Sequence, residues 1–146
     1  MRSGRSTNRD VPDRRGEVGD DEAVVTKRSP WSMADTLARL SAVVAARGME
    51  VFEVIDHSGK ARDFGLDLRD TQLVIFGSPA LATPVIEAAP FAALDLPFRV
   101  VVWQDGNQTL VSYPAPADVA RRYRLRGDLA DALASIDAIT SAVIDR

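Results

Sequence analysis

Asp56 and His57 stand side by side in "VFEVIDHSGKA", and His57 is the only histidine among 146 residues. An imidazole titrating near neutrality beside a carboxylate can act as general acid or base, with the carboxylate orienting and stabilising its protonated form. On an extended chain, however, adjacent side chains point to opposite faces. The pair therefore works as a catalytic unit only where the backbone turns. The competing reading makes Asp56 the N-cap of a short helix beginning near residue 58, accepting bonds from its first backbone donors, with His57 packing locally.

Other chemistry-bearing residues face the same choice. Ser78 before Pro79 and Thr83 before Pro84 offer hydroxyls and helix N-termini to an anion, yet plain capping explains both. Tyr113 supplies a further hydroxyl for a ligand or for a cofactor-free hydrolase or isomerase built on Asp56 and His57. Glu87 and Asp95 are separated by Pro90, and no spacing rule brings their carboxylates together. Trp103 in an apolar run reads as a core or interface aromatic. The arginines between Arg121 and Arg126 read as cations near a helix end.

Composition narrows the chemistry. The absence of cysteine excludes disulfides, thiolate nucleophiles and structural zinc, and a single histidine leaves only carboxylates for hard cations. No metal and no cofactor is expected. A net charge of -3 argues against a nucleic-acid partner, and no segment approaches the roughly 20 apolar residues of a membrane span. The expected location is cytoplasmic.

The elements that must hold these residues follow from local signals. Residues 1–21 mix charges and lack large apolar side chains, which predicts a disordered tail; residues 22–146 form one domain. "EAVVTKR" predicts a strand stopped at Pro30. Ser32 caps a helix with an apolar stripe at Met33, Leu37, Leu40 and Val44, ended by Gly48. "MEVFEVID" predicts a strand with Val51 and Ile55 on one face and Phe52 and Val54 on the other. A short helix closed by Gly65 and a central strand "QLVIFG" come next, then two helix starts at Ser78 and Thr83. "FRVVVWQ" and "TLVSY" flank "DGN", a strong hairpin signal. Two helices joined at Gly127 complete the chain, the second with a stripe at Leu129, Leu133, Ile136 and Ile139 or Thr140.

The runs "IDHSGKA", "GLDL", "LVIFGSPALATPVIEAAP", "ALDLPFRVVVWQD" and "VSYPAP", in this order, resemble the family called domain of unknown function 302, from about Ala23 to about Leu125. The resemblance implies an α+β domain, an antiparallel sheet packed on helices similar to the TATA-binding-protein-like group of folds, often dimeric and without an established activity. Ser78, Ala82, Gln104 and Tyr123 depart from the residues usual in that family. The expected function is a noncatalytic binding or interaction domain that self-associates, with a pocket for a small molecule or a surface for a protein. Self-association is expected through a sheet edge or an apolar strand surface, because "FRVVVWQ" is apolar on both faces.

Overall fold

A computed structural model describes residues 17–18 and 23–146. Strands β1 (Glu17–Val18), β2 (Val24–Ser29), β3 (Glu50–Asp56), β4 (Thr71–Gly77), β5 (Phe98–Asp105) and β6 (Gln108–Pro114) form one antiparallel sheet in the order β1-β2-β6-β5-β4-β3. Between them run α1 (Met33–Ala46), α2 (His57–Asp63) and α3 (Pro79–Ala88), with α4 (Pro116–Arg122) and α5 (Gly127–Ile144) at the end. Most of the expected tail lies outside the described residues; within it, Glu17 and Val18 pair with Thr26 and Val25.

Local signals formed the elements they predict. The Ser32 hydroxyl accepts the Asp35 amide at 3.1 Å, and Gly48 takes φ +74° just past α1. In the hairpin, Gly106 has φ +61° and Asn107 does not turn positive, the φ signature of a type II′ turn. The stripe of α5 buries Leu133, Ile136, Ile139, Thr140 and Val143.

Helices α1, α3, α4 and α5 pack on one side of the sheet. Leu40 and Val44 of α1, Val85 of α3, Val119 of α4 and the α5 stripe meet Val74, Phe76, Val100, Val102, Val111 and Tyr113 in one cluster. Arg39 of α1 donates to the carbonyls of Val143 (2.7 Å) and Asp145 (2.8 Å), so it supplies the cation that the last turn of α5 lacks. Lys27 crosses from β2 to α5. Its Nζ donates to the Asp137 carbonyl (3.0 Å) and to the hydroxyls of Thr140 (2.8 Å) and Ser141 (3.0 Å).

Two expectations change. A bulge between Val51 and Glu53 shifts the register of β3, so Val51 pairs with Phe76 on the helix side whereas Ile55 pairs with Leu73 on the other side. The strict alternation that put Val51 and Ile55 on one face does not survive the extra residue. The second helix start, at Thr83, is absent: α3 runs through Pro84. The missing Pro84 amide leaves only the Ala80 carbonyl without its helical partner, and Ala80 is exposed to water. The run "FRVVVWQ" forms the interior strand β5, between β4 and β6; the edges are β1 and β3, and at β3 the bulge and Glu53 disfavour strand addition.

Candidate functional site

At the β3–α2 junction the backbone turns directly after Asp56. One Asp56 carboxylate oxygen accepts the Gly59 amide at 2.9 Å and the Ser58 hydroxyl at 2.8 Å. Ser58, itself buried, accepts the Thr71 amide at 3.1 Å and so ties the start of α2 to β4. Gly59 is required by this arrangement, because a Cβ there would lie 2.9 Å from the Asp56 carboxyl carbon. His57 is exposed at the first position of α2.

The Gly59 amide first, and the Ser58 hydroxyl second, hold the Asp56 carboxyl below its ordinary value of 3.8. The folded state thus favours the carboxylate. That stabilisation is complete above the ordinary value and is lost as pH falls through the lower folded one. In thermal melts the wild type is therefore expected to lose more stability below about pH 4 than Asp56→Asn, which accepts the same bonds without titrating. At pH 7 Asp56→Ala melts several degrees lower and Asp56→Asn close to wild type. An Asn variant as damaged as the Ala variant would exclude the cap.

Ser78 lies at the opposite end of β4. Its hydroxyl accepts the Leu81 amide at 3.2 Å, capping α3, and it borders an apolar groove of about 200 Å³. Phe52, Leu81, Ile86, Leu96 and Phe98 form the walls. Gly77 keeps one end open: a Cβ there would meet Pro97 Cβ at 3.3 Å and Phe52 Cε2 at 3.8 Å. Such a groove excludes water from a compact apolar group while the Ser78 hydroxyl hydrogen remains able to donate.

The remaining candidates are scattered. Thr83 is exposed on α3. Tyr113 faces the helices, 2% exposed, and donates to Asp137 Oδ1 at 2.6 Å; burial first, and that bond second, push its phenol above the ordinary range. Neither approaches Asp56 and His57 as a hydrogen-bond partner among the described residues. Glu87 is exposed on α3, whereas Asp95 accepts from the Tyr123 hydroxyl and from Arg122. Arg122 and Arg121 also pair with Asp118, so this part of the basic run is internally compensated. Trp103 Nε1 donates to the Ser112 hydroxyl at 3.0 Å. Among the described residues no three His, Asp or Glu side chains gather to hold a metal, and no helix is long and apolar enough to cross a membrane.

Sequence reasoning missed the groove walls and a wider polar cleft of about 770 Å³ at the start of α1, between Arg28, Trp31, Gln104, Asn107 and Arg146. The groove walls come from β3, α3, β5 and the 3₁₀ segment Pro90–Leu94 with the turn after it, which no local spacing links.

The model of the family Domain of unknown function DUF302 matches residues 25–143. The chain is 37% identical over 106 residues to "Fluoride-specific ion channel FluC 1" of Brucella suis biovar 1 (strain 1330), a match covering 72% of this chain and 42% of that protein. The protein of the same name from Brucella abortus biovar 1 (strain 9-941) matches at 37% identity, covering 72% of this chain and 39% of that protein. This chain therefore spans about two fifths of these relatives. Among solved structures, the crystal structure of an uncharacterized conserved DUF302 protein from Bacillus stearothermophilus superimposes with a TM-score of 0.72 at 22% identity, covering 84% of this chain and 95% of that one. At that identity the likeness speaks for the fold.

Proposed function

The chain belongs to the DUF302 family, and from that premise we propose that it is a noncatalytic binding domain that self-associates and takes a compact apolar ligand beside α3. The observation that carries this reading is the groove itself, apolar on its walls and bordered by a single hydroxyl. The groups that would serve a reaction support the same side of the choice: the Asp56 carboxylate is engaged by two donors of its own helix. Tyr113 is sealed in the core and Thr83 is exposed on α3. In the relatives named fluoride-specific ion channels, the shared 106 residues are on this reading a ligand-binding accessory to the remainder of each protein.

A groove of this size accommodates a ligand of about ten heavy atoms, for which a dissociation constant of about 0.1–1 mM is expected. Indole is a suitable probe in a titration followed by backbone amide chemical shifts. Saturable shifts are expected at Gly77, Leu81 and Phe98. Ala93→Phe, whose side chain projects from an exposed wall position into the groove, should weaken the response at least about tenfold, as expected when a filled pocket leaves no room for a ligand. Shifts that fail to saturate, or that ignore Ala93→Phe, would remove the groove as a binding site.

A further inference from the structure

The polar cleft of about 770 Å³ lies at the Asp70 end of β4, whereas the apolar groove borders Gly77 at the other end, so the strand holds the two about 20 Å apart. Part of the cleft wall is committed to bonds of its own. The buried Thr109 hydroxyl donates to Gln104 Oε1 at 3.2 Å, and Gln104 Nε2 donates to the Gly106 carbonyl at 3.2 Å. Other lining groups have no such bond. Arg28 and Arg146 have no ion-pair partner, and the side-chain amides of Asn107 and Gln108 no hydrogen-bond partner, among the described residues. Trp31, fixed in the wall by the Arg39 guanidinium 4.5 Å from its ring centre, carries a buried Nε1 donor that no acceptor meets. A buried donor left unpaired is rare and destabilising.

We propose that this cleft is a second binding site, for a small polyhydroxylated carboxylate. The charged groups fix the sign of the ligand: two arginines stand against one carboxylate side chain in the lining, Asp70, which favours a single negative charge. The planar guanidinium of Arg28 offers paired donors to a carboxylate. The amides fix the remainder of the ligand, because Asn107 and Gln108 each carry both donors and an acceptor, which hydroxyl groups satisfy in either direction. Asp70 accepts from a hydroxyl and repels a second anionic group, so a dicarboxylate is disfavoured. Trp31 Nε1, a donor only, gains from a ligand oxygen the acceptor it lacks. An apolar ligand would strip water from these groups without replacing its bonds, so the cleft and the groove take different chemistry.

The chain contains two tryptophans, Trp31 and Trp103, and their side-chain N–H resonances supply a readout with an internal reference, because Trp103 Nε1 already donates to Ser112. Sodium gluconate is titrated into the full chain to about 20 mM at constant ionic strength, so that screening of the arginines does not change. The Trp31 resonance is expected to shift saturably, with a dissociation constant of about 1 mM for a ligand of this size, while the Trp103 resonance stays in place. Sorbitol, which keeps the hydroxyls without the carboxylate, should bind at least about tenfold more weakly, as should butyrate, which keeps the carboxylate without the hydroxyls. Arg28 and Asn107 are exposed, so substitutions there leave the core intact. Arg28→Gln and Asn107→Asp should each weaken gluconate at least about tenfold, the first by removing the cation and the second by adding a like charge. Binding of sorbitol should be unchanged by Arg28→Gln. A Trp31 resonance that stays still or fails to saturate overturns the proposal, as does sorbitol or butyrate matching gluconate, or either variant binding gluconate as the wild type does. These shifts do not depend on whether the groove is occupied, so the two sites fail separately.

Discussion

Replacement of Lys27 by alanine is expected to destabilise the domain by about 2–5 kcal/mol in urea unfolding, whereas Lys27→Met should stay within about 1.5 kcal/mol of wild type or exceed it. Lys27 is 9% exposed, its Nζ lies 5.4 Å from the centre of the Tyr113 ring, and it donates to three acceptors on α5. Alanine removes the side-chain stem from a packed layer and leaves a cavity. Methionine fills that volume without bringing a charge out of water. The acceptors tolerate the loss, since the Thr140 hydroxyl still donates to the Ile136 carbonyl at 2.9 Å and Ser141 is exposed.

The sign of the pH dependence follows from burial. Desolvation lowers the Lys27 pKa from 10.5, partly opposed by Asp137. Between the folded value and 10.5 the unfolded chain holds more protons at this site, so the contribution of Lys27 to stability increases with pH there. The stability of wild type relative to Lys27→Met is therefore expected to improve as pH approaches 10.5. A Met variant as unstable as the Ala variant would show instead that the ammonium bonds outweigh its desolvation.

The second large effect is expected at Phe76. Phe76→Ala should cost about 3–5 kcal/mol, because the ring is fully buried and packs against Phe98 with centroids 5.6 Å apart at 58°. Phe98 also forms one wall of the groove, so the same substitution should weaken indole binding by releasing that wall. The neighbouring Ile75 points to the other face of the sheet and pairs with Arg99. Ile75→Ala is accordingly expected to cost about 1 kcal/mol or less in the monomer. If the two substitutions prove equally damaging at concentrations too low for association, the sheet face away from the helices is covered within a single chain.

Features governed by neighbours in the chain were legible from the amino-acid types. Ser32, Ser78 and Asp56 cap helices because each side-chain oxygen reaches an amide three residues ahead. Gly48, Gly106 and Gly127 occupy positive φ where a side chain would be strained. The α5 stripe and the order of strands and helices belong to the same class, as do the motifs that place the chain in its family. A two-residue step, or a 3.6-residue one, is enough to state each of these.

Other features were decided only by the assembled tertiary structure. β2 pairs with β6, joining residues such as Thr26 and Ser112 that lie far apart in the chain, and this pairing leaves β3 at the edge. One bulge separates Val51 from Ile55, and the helix continues through Pro84, whose missing amide falls opposite Ala80, an exposed residue. Tyr113, eligible by type for a ligand site, turns inward to Asp137. Local hydrogen bonds and backbone angles are settled within a few residues. The face that a strand buries, and therefore which hydroxyl or ring reaches a groove, depends on apolar area contributed by distant segments, which becomes available only when the layers close.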